Sequence, residues 1–120
     1  MDLHFEEHNN QSLKRFENML KTGSVLFFDS AEFERIIQFY IDNGKKNLAH
    51  KALSLAIDQH PDTIGLSILK AELLIIEEQF DEAAHLLDTI QAIEPTNEEV
   101  FIQKANLLSK KISMKKLLLF

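Results

Sequence analysis

The sequence has no cysteine, two prolines and three glycines in 120 residues. Without cysteine there are no disulfides, no thiolate metal sites and no cysteine nucleophile. So little glycine and proline leaves few turns, which fits long helices joined by short connections better than a many-stranded sheet. No apolar run approaches the roughly 20 residues that span a bilayer, so no membrane role is expected. The first residues, Met1-Asp2-Leu3-His4-Phe5-Glu6-Glu7, are acidic and lack the apolar centre of a signal peptide, and a cytoplasmic location is expected. Acidic residues are absent after Glu99, while Lys110, Lys111, Lys115 and Lys116 fall in the last eleven positions. The body of the chain is therefore acidic, which argues against nucleic acid as a partner.

What the chain does contain is a period. Its two prolines, Pro61 and Pro95, stand 34 residues apart. The same shift lays Lys70-Ala71-Glu72-Leu73-Leu74 on Lys104-Ala105-Asn106-Leu107-Leu108, Ala49 on Ala83, Leu53 on Leu87 and Ile68 on Ile102. Between these points the apolar residues keep a helical rhythm: Phe33, Ile36, Ile37, Tyr40, Ile41; Ala49, Ala52, Leu53, Ala56, Ile57; Leu66, Leu69, Leu73, Ile76; Ala83, Leu86, Leu87, Ile90. Asp29-Ser30-Ala31-Glu32 and Thr96-Asn97-Glu98-Glu99 each offer a capping box. Asn43-Gly44 can end a helix with positive φ, and Pro61 and Pro95 cannot continue one.

A 34-residue unit of two helices resembles the tetratricopeptide repeat, with its pattern W-x2-L-G-x2-Y, then A-x3-F, then P. In residues 30–63, Phe33, Ile36, Ile37, Tyr40, Ala49, Leu53, Ala56 and Pro61 occupy these sites. In 64–97 the matches are Ala71, Leu74, Ala83, Leu87 and Pro95, with departures at Ser67 and Lys70. In 98–120, Phe101, Ala105 and Leu108 match, Lys104 departs, and the pattern then stops. The resemblance implies an all-α fold, a right-handed superhelical array of antiparallel helix pairs (an α-solenoid), truncated after about two and a half repeats. A helical-hairpin repeat of another family is the alternative reading of the same period. Small residues at Ala49, Ala71, Ala83 and Ala105 are expected where helices approach closely.

Outside the repeat, residues 9–22 are expected to form an amphipathic helix through Leu13, Phe16, Met19 and Leu20, ended at Thr22-Gly23. Residues 1–29 thus form a capping helix, or the second half of a degenerate earlier repeat, followed by the connector Val25-Leu26-Phe27-Phe28 wedged between helices. At the other end, a helix over about 97–110 exposes an apolar face and predicts self-association there. The basic-apolar stretch from Ile112 does not supply a second helix of the repeat type. It reads as a true tail, a cloning scar, or a frame slip at the codons of Lys110-Lys111. One choice of codons read in a neighbouring frame places two acids and then alanine at position 117, 34 after Ala83.

Residues that could carry chemistry are few. His4 and His8 have the spacing of a zinc-binding helix pair, but Phe5 stands where H-E-x-x-H requires its glutamate. Glu77-Glu78 and Glu98-Glu99 are adjacent, so on a helix their carboxylates diverge. His50, His60 and His85 are scattered. No glycine-rich phosphate loop and no nucleophile elbow is present. No enzymatic activity, metal or cofactor is expected. The resemblance instead implies a groove for a protein or peptide, lined by the first helix of each hairpin: Glu34, Gln38 and Ile41, then Ile68, Glu72 and Ile75, then Ile102 and Asn106. Glu34 and Gln38 replace the Lys and Asn of the carboxylate-clamping subfamily, so that clamp is absent. These isoleucines either line the groove or pack inside a tighter superhelix. The expected function is a scaffold or interaction module; the alternative is a structural piece of a longer array whose functional sites lie elsewhere.

Overall fold

The computed structural model describes residues 3–119, with side chains from residue 11. All regular structure among these residues is helical: α1 (Leu3–Thr22), α2 (Ser30–Asp42), α3 (Lys46–Gln59), α4 (Ile64–Ile76), α5 (Phe80–Ile93) and α6 (Glu98–Leu118). The chain divides into two compact units, α1–α3 in Met1–Thr63 and α4–α6 in Ile64–Phe120.

The 34-residue period governs the backbone itself. Adding 34 to both ends of α2 gives the ends of α4, adding it to α3 gives α5, and adding it to the start of α4 gives the start of α6. The interhelical turns repeat hydrogen bond for hydrogen bond. Gly44 N–H donates to Ile41 O at 3.1 Å and Lys45 N–H to Tyr40 O at 2.8 Å; Glu78 N–H donates to Ile75 O at 3.0 Å and Gln79 N–H to Leu74 O at 2.8 Å. Both turns need one left-handed residue to reverse the chain. Gly44 supplies it at φ 70° and Glu78 at φ 63°. Glycine takes that conformation freely, whereas a residue with a Cβ is strained by about 1 kcal/mol. Glu78→Gly should therefore stabilise the second unit by about 1 kcal/mol, and Gly44→Ala should destabilise the first by a similar amount. Urea midpoints measured at constant m-value check both.

In the first unit, α2 packs against α1 on one side and α3 on the other. Phe16, Met19, Phe33, Ile36, Ile37, Tyr40, Ala49, Ala52, Leu53 and Ala56 are buried. Glu32 holds the α1–α2 seam. Its carboxylate accepts from Ser12 Oγ at 2.7 Å and Arg15 Nη1 at 3.3 Å. It also accepts from the Asp29 amide at 3.2 Å, while Asp29 Oδ1 accepts from the Glu32 amide at 2.7 Å, which completes the capping box of α2. The first helix is longer than the amphipathic pattern over 9–22 indicates: its backbone is helical from Leu3. Polar residues before Gln11 carry no face signal, yet nothing in their types breaks a helix. The side chains of His4 and His8 lie outside the described residues.

The connector differs from expectation in one respect. Of Val25, Leu26, Phe27 and Phe28, only Phe28 is buried; Val25 and Phe27 are about three-quarters exposed. Phe28 sits between the rings of Phe16 and Phe33, with centroids at 6.1 and 5.3 Å, and under the Arg15 guanidinium at 4.6 Å. The end of α3 fixes the backbone around it. Phe28 N–H donates to Gln59 Oε1 at 3.2 Å, Gln59 Nε2 donates to Leu26 O at 2.8 Å, and His60 Nε2 donates to Phe28 O at 2.8 Å. An extended apolar segment can insert one side chain only when its backbone groups find partners, and Gln59 and His60 supply them.

Tyr40 lies fully buried beside Phe16, and its hydroxyl donates to Glu17 Oε1 at 3.3 Å. Burial, the Glu17 charge and that hydrogen bond together push the phenol up to about 12. The raised value means the folded unit favours the protonated phenol. Its contribution is fully present below the unfolded value near 10 and is lost as pH rises through about 12. As the sole tyrosine, Tyr40 reports cleanly: its phenolate absorbance should rise near pH 12 together with loss of helicity. A midpoint near 10 with the helices intact would contradict this burial.

In the second unit, α4 and α5 form an antiparallel hairpin and α6 packs on both. The core gathers Ile68, Ala71 and Ile75 from α4, Ala83, Leu87 and Ile90 from α5, and Val100 and Leu107 from α6. Each large side chain buried there contributes about 1.5–3 kcal/mol. Ala71 and Ala83 are fully buried, as the small-residue pattern predicts; Ala105 is exposed, contrary to it. The α6 residues that face α4 and α5 are Val100, Gln103 and Leu107, which turns Ala105 outward.

Both ends of α6 differ from expectation. The cap of α6 is Asn97 alone: its Oδ1 accepts from the Glu99 amide at 2.9 Å, without a reciprocal glutamate. The helix does not stop near residue 110 but runs to Leu118, so the basic-apolar stretch is helical. The residue in phase with Gly44 and Glu78 is Ile112. A β-branched side chain disfavours the left-handed conformation that the turn requires, and the helix continues through it. Lys115 and Lys116 then lie in the last turn, where cations complement the helix dipole.

Candidate partner-binding surface

The residues expected to line a groove fall on α2, α4 and α6. On α2, Glu34, Gln38 and Ile41 are half-buried and share one face through their 3–4 spacing. Gln38 Nε2 donates to Asp42 Oδ1 at 2.9 Å, so its amide is oriented along the helix. Burial raises the Glu34 carboxyl above the usual glutamate range, opposed by the neighbouring Arg35 charge. A partly desolvated carboxylate is poised to gain from a cationic partner, because the cost of drying it has already been met in part.

On α4 the expected lining divides. Glu72 is half-buried, whereas Ile68 and Ile75 are buried within the core of the second unit. Their place in that core follows from α6, whose Val100 and Leu107 belong to the same cluster. Between the two isoleucines, Gln103 Nε2 donates to Glu72 Oε1 at 3.5 Å, a long contact that ties α6 to α4. Ile68 and Ile75 therefore do not offer surface to a partner. On α6, Ile102 is exposed and Asn106 half-buried. The accessible set is then Glu34, Gln38 and Ile41 in the first unit, and Ile102 and Asn106 in the second; Glu72 is only half-buried, but its carboxylate faces inward, with Oε2 shielded from solvent and Oε1 accepting from Gln103.

No family model, no curated protein and no solved structure matches this chain.

Of the residues assigned to repeat packing, Tyr40, Ala49, Ala71 and Ala83 are buried, Ala105 is exposed, and Pro61 and Pro95 stand in the turns after α3 and α5. Among the described residues no cluster of three or more His, Asp or Glu side chains could hold a metal ion. No helix among them is long and apolar enough to cross a membrane.

One feature of the second unit was not singled out from the sequence. An open groove between α5 and α6 is lined by Ala84, Asp88, Lys104, Leu107, Leu108 and Lys111. Lys104 Nζ donates to Asp88 Oδ1 at 2.7 Å and also to Gln91 Oε1. The hydrogen bond and charge of Lys104 hold the Asp88 carboxyl below the usual aspartate range. The signal was present as a departure from the repeat pattern, because Lys104 occupies a site where a large apolar residue is expected. A lysine there reaches across to α5 in place of a packed side chain.

Proposed function

We propose that this chain is a protein-binding module built from helical-hairpin repeats of the tetratricopeptide kind, a family whose hairpins stack into a right-handed solenoid. The observation that carries the reading is the recurrence, at an offset of 34, of helix ends and turn hydrogen bonds. Repeats of this kind leave the faces of their first helices for a partner segment, and function then depends on the side chains displayed there. Glu34, Gln38 and Ile41 present a mixed acidic and apolar strip on α2, and Ile102 and Asn106 an apolar and amide pair on α6. The α2 strip suits a segment carrying both apolar and basic side chains. The cytoplasmic setting expected from the sequence belongs to the same proposal.

The test is affinity capture with the full chain, run beside a Glu34→Lys, Ile102→Glu variant whose urea unfolding matches the original. A partner enriched by the original chain and lost with the variant supports the module. Capture that the variant leaves unchanged overturns this assignment of the surface.

A further inference from the structure

The face of α6 that points away from α4 and α5 is apolar and uncovered. Phe101, Leu108 and Ile112 are about half exposed, and Ala105 lies between them. Their spacings of four, three and four residues draw one straight stripe along the helix. The same helix is electrically polarised: Glu98 and Glu99 lie in its first turn, and Lys115 and Lys116 in its last.

These two properties make α6 complementary to itself in one orientation. Two helices related by a two-fold axis across this stripe run antiparallel, which brings the acidic start of each to the basic end of the other. With the axis between Ala105 and Leu108, Phe101 of one copy meets Ile112 of the other. Ala105 meets Leu108, a small residue against a large one, which permits close approach. Glu98 and Lys116 lie on the same flank of the stripe, and an antiparallel pair sets them opposite each other. On the other flank, Lys104 is neutralised within its own unit by Asp88 at 2.7 Å, which reduces repulsion where the two copies meet.

We propose that a second copy of this chain covers the α6 stripe, forming an antiparallel α6–α6 dimer. A parallel pairing would set acid against acid and base against base at the two ends. The surface is distinct from the proposed partner-binding faces, since Ile102 lies about 100° around the helix from Phe101.

Sedimentation equilibrium of the full chain tests the proposal, with helicity and urea unfolding as folding controls. A dimer is expected in the micromolar range. Leu108→Glu should abolish it, because it puts two carboxylates near the axis. Glu98→Lys and Lys116→Glu, made singly, should each weaken it by about tenfold. The double exchange E98K/K116E should restore it, since each end again meets its opposite. A monomer across the micromolar range overturns the proposal. So does a dimer that Leu108→Glu leaves intact, or one that the double exchange fails to restore.

Discussion

Ile75→Glu is expected to unfold the second unit, and any loss of binding it causes would follow from that. Ile75 is fully buried among Ile68, Leu87, Val100 and Leu107. Truncation to alanine alone should cost about 2–5 kcal/mol, the lost transfer energy together with the cavity left behind. Glutamate adds a charge that must either be desolvated at a cost of several kcal/mol or take up a proton in the core. The sum is comparable to the whole stability of a small domain, about 5–15 kcal/mol. Far-ultraviolet circular dichroism should show helicity falling at neutral pH. It should be partly regained on acidification, because a protonated Glu side chain is far cheaper to bury. A variant that keeps native helicity and unfolding midpoint would place Ile75 at a surface. The matched change at an exposed position, Ile102→Glu, should leave stability within about 0.5 kcal/mol of the original.

The second large effect separates two neighbouring phenylalanines. Phe28→Ala should destabilise the first unit by about 3–5 kcal/mol, the range for deleting a buried aromatic side chain. Phe28 is 3% exposed and touches two aromatic rings and the Arg15 guanidinium, while Phe27 is 75% exposed. Phe27→Ala should accordingly change the unfolding free energy by less than about 0.5 kcal/mol. The backbone hydrogen bonds from Gln59 and His60 explain the contrast, since they set which side chain points inward. Gln59→Ala should therefore lower stability by about 1–3 kcal/mol, because the Phe28 amide loses its acceptor and the Leu26 carbonyl its donor. Equal effects from Phe27→Ala and Phe28→Ala would contradict this seating of the connector.

These contrasts mark where sequence reasoning reaches and where it stops. The period of 34, the helical rhythm and the turn residues are local or repeating signals, and α2 to α5 follow them. The capping box at Asp29 needed only residues three apart. The buried state of Ala49, Ala71 and Ala83 follows from the same phase. By contrast, the connector reads as four equal apolar residues, because the atoms that choose Phe28 come from α3, about 30 positions later. Ala105 matches its repeat partners in sequence and differs from them in exposure, because among the described residues α6 packs only on α4 and α5, on its other face.

By itself, then, the sequence determined the all-helical character of the described residues, the 34-residue offset between successive helices, and which side of α2 to α5 is apolar. Those properties depend on side-chain spacing and on turn residues within one unit. Only the tertiary structure decided that Ile68 and Ile75 are core while Ile102, the counterpart of Ile68, is surface. The reason is physical: identical side chains at equivalent helical positions are buried or exposed according to whether another helix covers them, and α6 covers α4 while its own outward face stands open.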